Sequence, residues 1–479
     1  MAGIVSYGAY IPMYRLSRAI LGQVWGGGGK GEKAICNCDE DSITMAVEAG
    51  TDCLKGTDKK TVDAVYFAST TAPFKEKQSA SFVAAALDLR EDVTTSDFGN
   101  SLRAGTLALR AALDAVKAGS AKKVLVVVAD CRLPVPNSAG EGALGDGAAA
   151  LLIGATDIAV EIEASAYTYS EFLDVWRLET DRFPRQWEER FILDEGYEKH
   201  MKKAFAGFLK AHKMTAKDFA KVAFYGPNAR SHQAVAVALG ADPKTQVTAP
   251  LFDNVGNTGA AMALMTLVQA LEDSKPGDKI LFGNWGDGTD VHALKVTQAI
   301  EKIRDRRGIK RHLASKVMLE NYGKYVTFRN LMVSDDGPAW QTAPPMTRPR
   351  TSLTAMWRDR NWVYRCHGHH CKKCDKTQFP LQKRCMYCQA EEKYLEEVPL
   401  SERKGVLFTY SMDERTAVTD PPNILGAINL EGGVRIFSQV TDRDVKTIKV
   451  GMPMEMTFRR IHDALGVHNY FWKCRPARD

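Results

Sequence analysis

Short continuous apolar runs alternate with amphipathic stretches through roughly the first 300 residues, and the order of those elements occurs twice. The first pass predicts a strand at Ala64–Ala68, helices near 79–88 and 102–118, then strands at 124–128 and 148–153. The second predicts a strand at 222–225, helices near 229–239 and 258–272, then strands at 280–282 and 293–296. Corresponding elements lie about 156 residues apart along most of the length. Five matched elements in one order predict a duplicated βα unit, with mixed sheets covered by helices on both faces and two halves related by a pseudo-twofold.

Beyond this repeat the pattern changes. Residues 301–311 are basic and polar, and the Pro-, Thr- and Asp-rich stretch from Ser334 to Pro349 reads as a linker. A short helix carrying Met356 and Trp357 follows, then a cysteine motif, then about five β-like runs over 405–474. The runs at 424–430 and 434–440, joined through Glu431-Gly432-Gly433, predict a hairpin within a small five-stranded barrel. The expected divisions are 1–332, a linker at 333–352, a helix and cysteine module at 353–395, and a barrel at 396–479.

Composition narrows the class without naming it. Hydrophobic residues at 45% and charged residues at 25% fit a folded globular protein. A net charge of +6, from 64 basic and 58 acidic residues, is too small for a nucleic-acid footprint, and no basic and aromatic residues interleave. No apolar stretch is long enough to span a bilayer, and the first residues lack a basic segment followed by an apolar run, so a cytoplasmic protein is expected. Four of the ten cysteines belong to one motif and six are scattered, which favours reduced thiols over a disulfide framework.

That motif is Cys371-Lys-Lys-Cys374, ten intervening residues, then Cys385-Met-Tyr-Cys388. Two Cys-x-x-Cys knuckles place four soft thiolates around one tetrahedral ion, and four sulfurs leave no open position. A structural Zn2+ is expected, with no part in the chemistry. Cys366, His367, His369 and His370 lie just upstream and are alternative ligands or competitors for the metal.

Two segments resemble known families. Residues 1 to about 330 resemble archaeal-type 3-hydroxy-3-methylglutaryl-CoA synthases of the thiolase superfamily, through the stretch from Gly3 to Pro12, Ala104-Gly-Thr106, Gly145-Asp-Gly147, Gly226-Pro-Asn228 and Gly256-Asn-Thr258. Residues from about 353 resemble the zinc-ribbon and OB-fold proteins that accompany thiolases as separate subunits. The resemblance implies a duplicated thiolase fold (five-layer αβαβα), followed by a rubredoxin-like zinc ribbon and an OB-fold β-barrel. It also implies coenzyme A thioester substrates, a homodimer, and a thiolase as a further partner.

The family's reactive residues do not carry over. Its cysteine nucleophile, in Ala-Cys-Lys-Ala-Gly-Thr, corresponds to Leu102 in Ser101-Leu-Arg-Ala-Gly-Thr106; its histidine corresponds to Tyr225, and its glutamate to Thr70. Asn257 and the glycine-rich stretch around Asp287 remain, and such groups polarise a thioester carbonyl without a cysteine. Tyr225, Asn257 and Asp287 are therefore the candidate catalytic residues, and Ser101, Thr70 and Arg230 the candidate contacts to substrate or CoA. Arg230 has a bland reading as a surface charge, and Tyr225 as a packed strand-end tyrosine.

Three functions follow. An aldolase or retro-aldolase on a β-hydroxyacyl-CoA needs only acid–base chemistry and a stabilised enolate. A Claisen-type acyltransferase needs a relocated nucleophile, for which Cys131 is the candidate, with a buried structural thiol as its alternative. A CoA-binding scaffold for a catalytic thiolase needs none of the lost residues. His232, His292 and the glycines at 26–29 read as packing or loop residues.

Overall fold

A computed structural model describes all residues except 1, 28, 333–350, 417 and 479. The chain divides into two compact units, one of Met1–Cys36, Asp41–Ala84 and Leu89–Tyr322, the other of Asn37–Glu40, Ala85–Asp88 and Gly323–Asp479. Most of the linker expected at 333–352 lies outside the described residues.

The first unit is built on nine strands: β1 (Gly3–Tyr10), β2 (Ala64–Ala68), β3 (Thr94–Phe98), β4 (Lys123–Asp130), β5 (Gly147–Gly154), β6 (Val160–Tyr169), β7 (Lys221–Phe224), β8 (Lys279–Trp285) and β9 (Gly288–Val296). Their order is β7-β8-β9-β6-β1-β5-β4-β2-β3. The duplication is explicit in the pairings. In the N-terminal half β2 runs parallel to β4, β4 antiparallel to β5, and β5 antiparallel to β1; β7, β8, β9 and β6 repeat that sequence of directions. The halves join where Ile4 pairs with Val160. β3 extends the N-terminal half at its edge.

Strands β4, β5 and β8 are apolar without alternation because helices cover both faces, as buried strands require. Helix α1 (Ser42–Leu54) packs on β1 and β5, and α2 (Ser79–Ala86) precedes β3. α3 (Ala104–Ala118) packs on β2 and β4, α4 (Lys199–Ala211) on β8 and β9, α5 (Ala229–Ala238) follows β7, and α6 (Met262–Asp273) packs on β5 and β7. The equivalent helices α3 and α6 meet at Gly105, where a Cβ would lie 3.4 Å from both the Ala260 carbonyl and the Leu264 side chain. Glycine permits that approach.

In the second unit β10 (His367–Cys371), β11 (Lys376–Gln378) and β12 (Leu395–Pro399) form a three-stranded sheet. β13 (Gly405–Asp413), β14 (Asn423–Leu430), β15 (Val434–Gln439), β16 (Pro453–Ala464) and β17 (Val467–Pro476) form a five-stranded sheet in the order β15-β14-β13-β16-β17. A bridge between Val440 and Cys474 brings its two ends together as a barrel requires. The expected hairpin is present: Leu430 pairs with Val434, and Gly432 and Gly433 take φ of 83° and 78°.

Candidate functional site

The ends of β2, β4 and β8 and the start of α3 open on a cavity of about 330 Å3. Thr70, Thr71, Asn100, Ser101 and Leu102 line one side, Arg132 and Leu133 a second, and the segment from Leu173 to Arg177, with Gly286 and Asp287, a third. Leu102 stands at the turn into α3 and puts an aliphatic side chain into this space, leaving no nucleophilic atom there. Ser101 does not replace it. Its Oγ accepts from the Arg103 N–H at 3.2 Å and donates to the Gly286 carbonyl at 3.3 Å.

Gly286 and Gly288 allow the β8–β9 turn to approach the start of α3 and strand β6: a Cβ at Gly286 would lie 2.8 Å from the Arg103 nitrogen, and one at Gly288 2.1 Å from the Thr168 carbonyl. Between them Asp287 is held at φ 49°, a left-handed conformation tolerated best by Asp and Asn. Its carbonyl accepts from the Ser170 N–H at 3.0 Å and from Arg103 at 3.3 Å, so the strain is fixed by neighbours.

Thr70 lines the cavity, but its hydroxyl is committed. It donates to Asp130 at 2.8 Å, and the same carboxylate accepts from the Thr70 N–H, the Ser69 and Thr71 hydroxyls and the Ala260 N–H at 2.7–3.1 Å. Asp130, fully buried at the end of β4, thereby ties the β2 end to the start of α6. Its only sequence signal was an acid closing the apolar run Val124–Ala129.

Tyr225 and Asn257 are brought together but are not among the cavity residues: Asn257 Nδ2 donates to the Tyr225 hydroxyl at 3.2 Å, and both side chains are buried. Burial pushes the Tyr225 phenol up, opposed by the Asn257 hydrogen bond and the Arg132 charge. Asn257 Oδ1 accepts from the Gly259 N–H at 2.9 Å, and Tyr197 donates to the Tyr225 carbonyl at 2.7 Å. Arg230 lies exposed in the first turn of α5 and is not among the cavity residues.

The sequence reading missed Asp174, Arg132, Trp176 and Arg177. Asp174 Oδ1 accepts from the Val175 N–H at 2.6 Å, and Oδ2 from the Trp285 indole at 3.3 Å. Burial, with the Asp287 charge adding to it, raises its pKa. Arg132 is buried in the cavity wall, and its Cδ would lie 2.7 Å from a Cβ at Gly259, two residues after Asn257. Arg177 donates to the Thr70 carbonyl at 2.9 Å. These residues leave no local periodicity, because they come from loops that only the fold brings together. His232 and His292 pack against Phe224 and Phe282, and burial lowers each to a pKa of about 4.

In the second unit the sulfurs of Cys371, Cys374, Cys385 and Cys388 lie within 4.8 Å of one another. The Cys371–Cys388 and Cys374–Cys385 separations of 3.7 and 3.6 Å approach the edge of about 3.8 Å expected for a tetrahedral zinc thiolate. The two knuckles share one backbone design. Asp375 N–H donates to the Cys371 carbonyl and Gln389 N–H to the Cys385 carbonyl, and both residues take a left-handed φ near 60°. The upstream histidines are engaged elsewhere: His367 with Asp88 and Glu397, His370 with Asp375, and His369 Nδ1 with the Gln382 N–H. The cluster therefore fits a metal ion held by cysteine alone.

The duplicated sheet and its paired central helices define a thiolase-superfamily domain, and the second unit adds a cysteine-cluster ribbon and an OB-fold domain. Residues 209–298 match the family model described as 3-Oxoacyl-[acyl-carrier-protein (ACP)] synthase III C terminal, and residues 397–459 match that described as ChsH2, C-terminal OB-fold domain. The chain is 31% identical over 339 residues to the hydroxymethylglutaryl-CoA synthase of Methanopyrus kandleri, covering 68% of this chain and 97% of that protein. It is 33% identical over 330 residues to that of Pyrococcus horikoshii, covering 67% and 91%. The chain belongs to the hydroxymethylglutaryl-CoA synthase family. Its fold matches an HMG-CoA synthase complexed with CoA at a TM-score of 0.62 with 19% identity, covering 68% of this chain and 90% of that one. It also matches the 3-oxoacyl-(acyl carrier protein) synthase III of Pseudomonas aeruginosa at 0.57 with 22% identity, covering 62% and 98%.

Proposed function

We propose that the chain is an acyl-CoA carbon–carbon bond enzyme that works without an acyl-enzyme, as an aldolase or retro-aldolase on a β-hydroxyacyl-CoA. The observation that carries this reading is Leu102 in the cavity wall, where the resembled synthases place their nucleophile. In the cleavage direction a cavity carboxylate, Asp174 or Asp287, accepts the proton of the β-hydroxyl. The C2–C3 bond breaks, the hydroxyl carbon becomes a carbonyl, and the bonding electrons pass into the thioester as an enolate. Arg132 in the cavity wall supplies positive charge for the enolate oxygen, the kind of stabilisation that matters most where water is excluded. A proton delivered to C2 then releases the shortened acyl-CoA. The raised pKa of Asp174 suits a residue that must exchange protons near neutral pH.

A second reading, an HMG-CoA synthase-like acyltransferase, is favoured by the family itself. It requires a relocated nucleophile. Cys131 follows Asp130 directly but is not among the residues lining the cavity. Incubation with labelled acetyl-CoA and peptide mass analysis separates the two: the aldolase gives no acylated residue, whereas acetylated Cys131 overturns it. With a panel of β-hydroxyacyl-CoAs, Asp174→Asn should lower kcat by about 10²- to 10⁴-fold, the range for losing a general base. The acidic limb of the wild-type pH profile should lie above the usual carboxylate value of about 4 and be absent from the variant.

The cysteine cluster is assigned to structural Zn2+, for which four thiolates are the common set. A homodimer fits the resemblance and the position of β3 at the sheet edge, where it pairs only with β2 among the described residues. Cytoplasmic residence fits the use of cysteine as thiolate ligands, and among the described residues no helix is long and apolar enough to cross a membrane.

A further inference from the structure

A second group of metal-type ligands lies in the first unit. The sulfurs of Cys36 and Cys131 and a carboxylate oxygen of Asp146 lie within 4.8 Å of one another. They come from three chain segments: Cys36 follows the short strand Glu32–Ile35, Cys131 follows β4, and Asp146 precedes β5. Cys36 and Asp146 are buried and Cys131 is partly so.

We propose that these three side chains bind a second divalent metal ion, of the zinc class, that braces the segments forming the cavity wall. Two soft thiolates and one carboxylate are a donor set zinc accepts, with a water completing the tetrahedron. Drawing the donors from 4.8 Å to a tetrahedral edge of about 3.8 Å needs a movement of roughly 1 Å at most. Asp146 is already aimed: its Oδ2 accepts from the Cys36 N–H at 2.8 Å, an outer contact that fixes a ligating carboxylate. Binding replaces the two thiol protons, which pass to solvent, by one dication; no electron is transferred.

The consequence lies in what the ligands adjoin. Cys131 stands between Asp130, which holds Thr70, and Arg132 in the cavity wall. Asp146 follows Gly145, whose N–H donates to the Asn257 carbonyl at 3.0 Å. An ion here fixes both sides of the reaction centre relative to each other, and it holds Cys131 as a ligand instead of a nucleophile. The assignment rests on the ligand geometry and not on the aldol reading, and it removes Cys131 from the acyl-transfer reading.

The test is the metal content of the full, reduced chain after anaerobic exposure to ZnCl2 and removal of excess ion. Two zinc ions per chain are expected in the wild type, and one in Cys131→Ala and in Asp146→Asn, both checked for folding by circular dichroism. With CoCl2, the thiolate-to-cobalt absorption should fall in Cys131→Ala by the contribution of two thiolates, leaving the four-thiolate spectrum. One ion in the wild type overturns the proposal, as does a second ion that persists in both variants. A Cys36–Cys131 disulfide that survives the reductant, read as a mass lower by two hydrogens, also overturns it.

Discussion

Glu272 lies in the last turn of α6, where the helix carbonyls already oppose negative charge. Its Oε1 accepts from the Ile309 N–H at 2.8 Å and the Lys310 N–H at 3.5 Å, while Oε2 is buried with no hydrogen-bond partner among the described residues. A proton on Oε2 is therefore favoured, and burial pushes the carboxyl from 4.5 to about 7. The native state binds this proton more tightly than the unfolded chain. The resulting stabilisation is complete below pH 4.5 and is lost as the pH rises through about 7. A displacement of that size is worth about 3 kcal/mol. Glu272→Gln keeps the shape and removes the titration, so any offset from its amide is the same at every pH. Denaturant unfolding followed by protection of the Ile309 amide should show the wild type losing up to about 3 kcal/mol relative to the variant between pH 4.5 and 8. A difference between the two proteins that stays constant across that range would refute the reasoning.

In a Cys131→Ala chain, where only the four-cysteine cluster is proposed to bind metal, chelation should melt β10–β12, seen as loss of amide protection over 367–399, while the thermal transition of the first unit stays in place; a first-unit transition that falls with chelation of that variant contradicts this. In the second unit Arg459 is fully buried, pairs with Asp442 at 2.5 Å and with Glu40, and accounts for a charge those acids cannot lose without penalty. Arg459→Met should cost about 3–5 kcal/mol in urea unfolding, and adding Asp442→Asn should restore part of it; equal costs in the two variants would show that the charge is not what matters.

The duplicated core was legible because its strands are buried on both faces and so appear as continuous apolar runs. β1, β3 and β6 were not read as strands, for a physical reason in each case. β1 carries Gly3, Ser6 and Gly8 among its apolar residues; Gly8 lies against α1, where a Cβ would meet the Cys53 nitrogen at 2.4 Å. β3, Thr94–Phe98, is a polar edge strand, and β6 mixes Glu161 and Glu163 with alanines. The ribbon was legible because its ligands are local, with two residues between the cysteines of each knuckle. The cavity was not. Asp174, Arg132 and Trp285 are far apart in sequence, and Asp174 resembles any loop acid until Trp285 and Val175 fix it in the wall.

The replacement at position 102 and the carboxylates around it have to be understood together. A cysteine nucleophile works as a thiolate, and its pKa falls beside cations and helix N-termini. A thiol at position 102 would stand at the start of α3 and share its cavity with Asp174 and Asp287, whose negative charge favours the protonated thiol, and with Arg132 and Arg177, whose positive charge favours the thiolate. A carboxylate base has the opposite requirement. It benefits from burial that lifts its pKa toward neutrality and from a nearby like charge, which is the combination acting on Asp174. Arg132 serves either chemistry, since an enolate and a tetrahedral oxyanion both need a cation close by. Leu102 removes the group an acyl-enzyme would need at this position, and under the proposed aldol reading the carboxylates left in the cavity move a proton instead.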